Sequence, residues 1–365
     1  MPETASPIRR IAVEALLADL LATVDAAAAT EAGLAEARGA VLAETVTTAG
    51  PLPAVAFALA DGRGVIAAET TGASPYVPAP LSCSLAVAAG DSVPPPFDAV
   101  ARTGEAEATT SEVALPPGAD LRRIGEDAVT ETILLRPGQV LGSRALAVAA
   151  AAGRDRLWVR RGRALIAADA ERSGPLAGVL ADFLAGRGMD CRIVALAEGG
   201  AAAATVDLAV FLGGAAIGAT DPAWRAVSGA DGWRAIGRPA LRPGETIVAG
   251  RIGRVPTLVV PARLDDLTAA GLALIDPSAA AVTAVRPADD AGVRPLSRKL
   301  VSAIGFSELA LFSGSTDGTR WEPLAIGTIG LAALARAESW ALLPPESEGA
   351  NAGTPFSARF RPEAL

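Results

Sequence analysis

Near the start of the chain the apolar positions recur at helical spacing. Val13, Leu16, Leu17, Leu20, Leu21 and Val24 follow an i, i+3, i+4, i+7 pattern, one buried face of a helix. Ser6-Pro7 ahead of them combines a capping side chain with a proline suited to the first helical position, which predicts a helix start there. After an alanine-rich stretch, the spacing predicts a second helical segment over Leu34–Val46, ended by Gly50-Pro51. From Pro51 to Pro117 the texture changes to dense prolines, short β-branched runs and turns such as Asp61-Gly62, which predicts a small β-rich domain. A turn-rich stretch then leads to Val140 and a predicted helix over Ser143–Ala152.

A different period begins at Arg163. The runs Ala164–Ala168, Arg192–Leu196 and Asp207–Leu212 are continuously apolar and short, as buried strands are, with a helix predicted over Leu176–Leu184 between the first two. Strands alternating with helices predict a parallel sheet with helices packed on it. Thr246–Val260 predicts a hairpin around Gly250–Gly253. The polar break Ala288-Asp289-Asp290-Ala291-Gly292 precedes a tail with strand-like runs at both ends and a helix over Thr328–Ala337.

Composition narrows the chemistry. The 365 residues are 51% hydrophobic and 20% charged, with mean hydropathy +0.37, which suits a folded chain and not a disordered one. No apolar run is long enough to span a bilayer and the N-terminus lacks the pattern of a secretory signal, so a soluble cytoplasmic protein is expected. There is no histidine, which removes Ser-His-Asp and Cys-His nucleophiles and histidine-ligated metals. Cys83 and Cys191 match no zinc or redox spacing and read as buried reduced thiols. Lys299 is the one lysine and sits in no phosphate-binding loop. The net charge of −8 argues against a general nucleic-acid binder, while a local arginine pocket would still hold a small anion.

Ligands of open α/β sheets gather at the carboxyl ends of the strands. The strand ending at Leu212 runs into Gly213-Gly214-Ala215-Ala216-Ile217-Gly218-Ala219-Thr220-Asp221. Gly213, Gly214 and Gly218 permit close backbone approach to an anion, and Asp221 is a candidate for a metal or a ligand hydroxyl; an ordinary glycine-rich turn would look the same. Asp169 and Glu171 follow the first strand at the same edge and are either a Mg²⁺-binding pair or solvated residues at a helix start. Arg122-Arg123 and Arg160-Arg161-Gly162-Arg163 are basic clusters able to pair with phosphate, although the stronger reading of each is a solvated face or internal ion pairs.

In their order along the chain, these pieces resemble the molybdopterin molybdenumtransferases, the family of bacterial MoeA and the gephyrin E domain. Leu34-Ala35-Glu36-Ala37-Arg38-Gly39 through Glu44 is similar to the family's L-x-E-A-x-G-R-x-L-A-E segment. Asp61-Gly62 stands where the family has S-A-M-D-G-Y-A. Pro117-Gly118 through Asp127 is similar to P-G-x-x-x-R-x-x-G-E-D, and Leu134-Leu135-Arg136-Pro137-Gly138 continues it. Arg160–Ala168 resembles the lead-in to the catalytic domain, and Gly213–Asp221 its G-G-x-S-x-G loop and following acid. Arg298–Leu311 and Gly349–Gly353 look like the last β-rich domain.

The resemblance implies an α/β plus β multidomain fold. Its parts would be an extended helical and β domain (1–50 with 118–162), an inserted β-rich domain (51–117), an α/β molybdopterin-binding domain (163–287) and a C-terminal β-rich domain (288–365). It implies insertion of molybdate into adenylylated molybdopterin with release of AMP, usually with Mg²⁺, in a cytoplasmic homodimer, where the amphipathic N-terminal segment, outside the compact catalytic domain, is expected to cover its apolar face. Asp61, Asp169, Glu171 and Asp221 would be catalytic, with Asp61 and Asp221 at the metal. Gly213, Gly214, Gly218, Pro243, Gly244 and Glu245 would bind the cofactor. The departures fall at the chemistry: Pro243-Gly244-Glu245-Thr246 stands for P-G-K-P, Val260-Pro261-Ala262-Arg263 for P-G-N-P, and Ala168-Asp169-Ala170-Glu171-Arg172 for T-G-D-E. Glu245 and the lost asparagine favour the alternative of a non-catalytic carrier or assembly protein that hands molybdopterin to a molybdoenzyme, while the retained Asp61 and Asp221 favour the transferase. At Glu245, an acid facing an anion is expected to weaken binding by on the order of 1–3 kcal/mol relative to lysine.

Overall fold

The computed structural model describes residues 8–214, 220–286 and 291–360. It shows a multidomain α/β plus β architecture whose residues divide into two compact units. One contains residues 1–44, 137–146 and 156–365; the other contains 45–136 and 147–155.

The larger unit is organised on a seven-stranded sheet. Its labelled elements are β1 (Arg10–Ile11), α1 (Val13–Leu21), β2 (Gly162–Ala168), α2 (Gly174–Ala185), β3 (Met189–Ala195), α3 (Leu196–Ala203), β4 (Leu208–Gly213), α4 (Pro222–Ser228), β5 (Trp233–Pro239), β6 (Val248–Ile252), β7 (Val255–Pro261), α5 (Leu264–Ala270) and α6 (Asp276–Thr283). The strand order is β1-β5-β6-β7-β4-β2-β3. Strands β3, β2, β4 and β7 are mutually parallel, while β6 runs against β7 and β5 against β6. The expected parallel strands, the helix between the first two and the hairpin over Thr246–Val260 are all present.

The apolar run of β2 explains the layering. Successive strand side chains point to opposite faces. Ala164, Ile166 and Ala168 join Leu180, Phe183 and Leu184 of α2, together with α5 and α6, on one face. Leu165 and Ala167 join Ala203 of α3 and Ala223 and Val227 of α4 on the other. A strand buried on both faces can afford no polar position, and β2 has none from Ala164 to Ala168.

Two expectations fail for identifiable reasons. Leu34–Val46 is not a helix: Val41 and Leu42 are fully buried and Val41–Leu42 pairs with the strand Arg156–Arg160, while Gly39 lies at φ +77°. Sheet pairing of two buried apolar residues outweighs the helix propensity of the alanines around them. The apolar face of α1 is likewise already covered, because Val13, Leu16 and Leu20 sit in the core of their own unit. That helix therefore supplies no uncovered face to drive dimerisation. The Ser6-Pro7 start lies outside the described residues, and α1 begins at Val13.

A second sheet follows in the same unit, built from β8 (Ala291–Pro295), β9 (Ser307–Gly314), β10 (Trp321–Ile326), β11 (Ser339–Leu343) and β12 (Pro355–Phe360), with α7 (Leu331–Arg336) before β11. The short strand Leu241–Arg242 pairs in parallel with β9. Trp321 and Phe312 are fully buried at its centre.

The smaller unit is built from short strands. Gly62–Val65 lies between Leu85–Val87 and Ala99–Arg102 in an antiparallel sheet, and Phe57–Ala58 pairs with Leu121–Arg122. Asp61-Gly62 is thus a bend between strands of different sheets rather than a two-residue hairpin turn. A Cβ at Gly62 would collide with the Ala101 carbonyl, so the close approach of Ala99–Arg102 requires glycine there. The arginine clusters are paired as expected, Arg122 with Asp127 in this unit, and Arg161 with Asp190 and Arg163 with Asp207 in the larger one. Cys191 is partly buried, and its thiol is pushed up to about 11 chiefly by that burial; Cys83 is exposed, contrary to expectation.

Helix α3 presses on the sheet through Gly199. A Cβ there would lie 2.6 Å from Phe211 Cε1 and 2.7 Å from the Ala167 Cβ, both on central strands that cannot yield. Gly199→Ala should therefore destabilise by about 1–3 kcal/mol despite alanine's better helix propensity. Thermal melting monitored by circular dichroism would read this as a lowered midpoint.

Candidate functional site

The chain leaves β2 toward α2 on one face of the sheet and leaves β4 toward α4 on the other. Between these neighbouring parallel strands the direction of winding reverses, the point of an open α/β sheet at which a crevice forms. The structure has a cavity there of about 250 Å³, lined by Asp169, Arg172, Ser173, Gly213, Gly214 and Arg263, with Leu212, Pro222 and Ala262. The lining comes from the carboxyl ends of three parallel strands: Asp169, Arg172 and Ser173 after β2, the glycines at the end of β4, and Arg263 after β7.

The loops are braced from within. Asp169 Oδ1 accepts the N–H groups of Glu171 and Arg172 at 3.0 and 3.3 Å, and the Asp169 N–H donates to Ser173 Oγ at 3.0 Å. Asp221 is the N-cap of α4, only 6% exposed, and its Oδ1 accepts from Ala223 and Trp224 at 2.9 and 3.0 Å. A Cβ on Gly213 would lie 2.6 Å from that Oδ1, so glycine at 213 follows from the tight approach of the cap.

A second cavity of about 480 Å³ adjoins α5 and shares Arg263 with the first. Its walls carry Arg242, Glu245, Asp265, Asp266 and Glu308 besides Arg263, with Pro243, Gly244, Gly327 and Thr328. Four carboxyl groups face two guanidinium groups, a balance unsuited to an oxyanion. Glu308 is held by Ser302 Oγ at 2.9 Å and the Ala303 N–H at 2.8 Å. Asp266 is buried at the start of α5, with Arg263 Nε 2.9 Å from its Oδ2. Burial raises its pKa from 3.8 to about 6; Arg263 opposes the shift, Asp265 adds to it, and the Gly244 N–H opposes it.

Of the predicted residues, the structure brings Asp169, Gly213 and Gly214 together at the switch-point cavity, with Asp221 packed directly behind Gly213. Pro243, Gly244 and Glu245 line the second cavity. Glu171 is exposed and lines neither. Asp61 belongs to the smaller unit, where its Oδ1 accepts the Ala89 N–H at 2.8 Å. Gly218 lies outside the described residues. Among the described residues no three acids, cysteines or histidines gather into a group that could hold a metal ion. The described residues therefore offer Mg²⁺ no three-acid site, and Asp169 and Asp221 each turn Oδ1 to backbone N–H groups.

Glu245 departs from the expected bare acid. Its Oε1 accepts from Arg242 Nε at 2.5 Å, its Oε2 lies 3.7 Å from Arg10, and its carbonyl accepts from Arg238 at 2.6 Å. Arg242 and Arg10 both stack on Phe306, at 3.7 and 4.8 Å from the ring centre. The charge expected to repel an anion is instead compensated inside the protein.

Arg172, Ser173, Arg263 and Asp266 were not singled out by sequence reasoning as site residues. The signal was present: Arg263 follows a buried apolar run, as Asp169 and Gly213 do. Reading Thr246–Val260 as a hairpin concealed that its second strand is also parallel to β4.

The fold and site define a chain with an α/β sheet and a switch-point cavity, joined to a β-rich sheet. Residues 11–153 match the sequence family described as the MoeA N-terminal region (domain I and II). The structure is similar to the crystal structure of a molybdopterin biosynthesis MoeA protein from Pyrococcus horikoshii OT3, at TM-score 0.67 and 17% identity, covering 97% of this chain and 100% of that one. A second structure of a molybdopterin biosynthesis MoeA protein, also from Pyrococcus horikoshii, matches at TM-score 0.67 and 18% identity over 96% and 99% of the two chains. A molybdenum cofactor biosynthesis protein from Pyrococcus furiosus matches at 0.60 and 13%, over 97% and 100%. No curated protein sequence matches the chain. The similarity to MoeA proteins is one of fold along the whole chain and of sequence over its first part.

Two predictions follow from the second cavity. The proton on Asp266 is held more tightly in the folded than in the unfolded protein, so its ionisation lowers stability as pH rises from about 4 to about 6. The loss by neutral pH is on the order of 3 kcal/mol. Asp266→Asn should abolish that component, so that its melting temperature exceeds wild type at pH 7 and the gap closes near pH 4. Glu245→Lys should instead lower the melting temperature, because it sets an ammonium among Arg10, Arg238 and Arg242.

Proposed function

We propose that the chain acts in molybdenum-cofactor biosynthesis as a molybdopterin molybdenumtransferase-like protein, binding adenylylated molybdopterin and molybdate, inserting the metal and releasing AMP. The observation that carries this reading is the convergence of Arg172, Arg263 and the Gly213-Gly214 backbone on one cavity at the strand ends. Guanidinium groups hold phosphate with charge-assisted hydrogen bonds, and Gly213 and Gly214 line the same cavity with the Asp221 cap packed behind them. Ser173 adds a hydroxyl at the same wall. In this reading Asp169 is a positioning residue: by accepting the Arg172 N–H it sets where that loop, and so the Arg172 side chain, stands. Asp221 holds the Gly213 turn from behind. No step is assigned to Mg²⁺, since the described residues offer it no three-acid site. Self-association as a homodimer and a cytoplasmic location belong to the same reading; among the described residues no helix is long and apolar enough to cross a membrane.

The carrier alternative, in which molybdopterin is bound and passed to a molybdoenzyme without turnover, is favoured by Glu245. Its pairing with Arg242 and the acids around it leave the second cavity poorly matched to molybdate.

Arg172→Ala and Arg263→Ala should each weaken binding of adenylylated molybdopterin about tenfold to a hundredfold, the worth of one lost charge-assisted hydrogen bond. Calorimetric titration checks this, and unchanged affinity in both variants would remove the cavity from the ligand's path. Adding molybdate to the loaded protein then separates the two activities. Release of AMP marks the transferase, and retention of intact adenylylated ligand marks the carrier.

A further inference from the structure

Among the described residues, Arg263 alone lines both cavities. It sits at the N-cap of α5 with 64% of its side chain exposed. Asp265 engages its Nε and Nη2, each at 3.3 Å, and Asp266 Oδ2 lies 2.9 Å from the same Nε. Both acids therefore hold the Nε–Nη2 edge of the guanidinium, and Nη1 makes neither contact. A planar guanidinium can offer its remaining edge to a second partner while keeping the first.

The two acids differ in one respect. Asp265 is partly exposed, at 23% of its side chain, whereas Asp266 is 3% exposed and its Oδ2 has no well-directed hydrogen bond. Asp266 thus holds a buried oxygen whose sole close cation is Arg263. We infer that Asp266 governs the oxyanion affinity of the switch-point cavity by controlling how much of the Arg263 charge is available there, an inference that rests on the anion-binding reading of that cavity. When Asp266 is ionised, Arg263 is shared by two carboxylates, and the cluster of three carries a net charge of −1. When Asp266 is neutral the cluster carries none, and Arg263 can turn its charge to the cavity that it shares with Arg172.

The groups facing Asp266 support the direction. Arg263 and Asp265 come from its own helix start, the Gly244 N–H and the paired Arg242 and Glu245 from the preceding loop, and Glu308 from β9. Arg242 is already committed to Glu245, which leaves Arg263 as the cation that answers Asp266. The burial-raised pKa of about 6 puts the change between pH 5 and 7. On the cavity side the charged neighbours of Arg263 are Asp169 and Arg172.

Sulfate is a suitable probe, because it is a tetrahedral dianion whose charge is constant from pH 5 to 8. Calorimetry of the full chain with sulfate should show affinity about three- to tenfold tighter at pH 5 than at pH 8, the effect of one charge at close range in a partly solvated cavity. Asp266→Asn should bind at pH 8 as tightly as wild type does at pH 5, with a flat profile, and Arg263→Gln should bind weakly at every pH. The inference is overturned if Asp266→Asn tracks wild type throughout, if Arg263→Gln keeps the wild-type profile, or if Asp169→Asn alone removes the pH dependence. Should Asp266→Asn fail to fold, wild type against the exposed-site variant Arg263→Gln decides by the same criterion. Sulfate binding that is flat with pH but lost in Arg172→Gln sinks this inference and leaves the anion-binding reading intact. No sulfate binding by any variant at any pH ends both.

Discussion

The burial of β2 on both faces is the constraint from which the site follows. A strand with apolar side chains on either side must have helices above and below the sheet, so the chain has to leave neighbouring parallel strands in opposite directions. At that reversal the strand ends border a cavity of about 250 Å³. Into it come groups from three strand ends, and their identities, two arginines, a serine, an aspartate and paired glycines, decide what the gap can hold.

Two adjoining cavities with one shared arginine are electrostatically unlike. The first offers Arg172 and Arg263 against Asp169; the second sets four acids against two arginines. The substitution of an acid into the Pro243-Gly244 loop is therefore not an isolated loss. It is absorbed by Arg10, Arg238, Arg242 and the face of Phe306, a local network that makes the acid a structural part of its wall. Its charge alone did not show these partners: Arg242 and Arg238 lie three and seven residues away, but Arg10 and Phe306 come from segments distant in sequence.

Much of the fold was legible because its signals are local. The runs Ala164–Ala168 and Asp207–Leu212 and the helix over Leu176–Leu184 each declare themselves within a few residues. What failed depended on distant partners. Leu34–Val46 reads as helix until Arg156–Arg160 pairs with Val41–Leu42, and Asp61-Gly62 reads as a hairpin turn until Ala99–Arg102 lies against it. Of the site, the Asp169 and Gly213-Gly214 positions were visible from strand ends. Arg172, Arg263 and Asp266 were not, since one arginine among many carries no mark of the cavity it will enter. The burial of Asp266 is set by the Gly244 loop and by packing around α5, which no short window of sequence displays.

The pairing of β1 with β5 joins Arg10 to Arg238 and Ile11 to Pro239, more than two hundred residues apart. Synthesis proceeds from the N-terminal side, so β1 and the apolar face of α1 are made more than two hundred residues before β5, the strand that β1 pairs with. The contiguous 45–136 part of the smaller unit emerges long before that pairing can close. Loop-closure entropy and the exposure of Val13, Leu16 and Leu20 during synthesis make this step the slow and aggregation-prone one in the life of the chain.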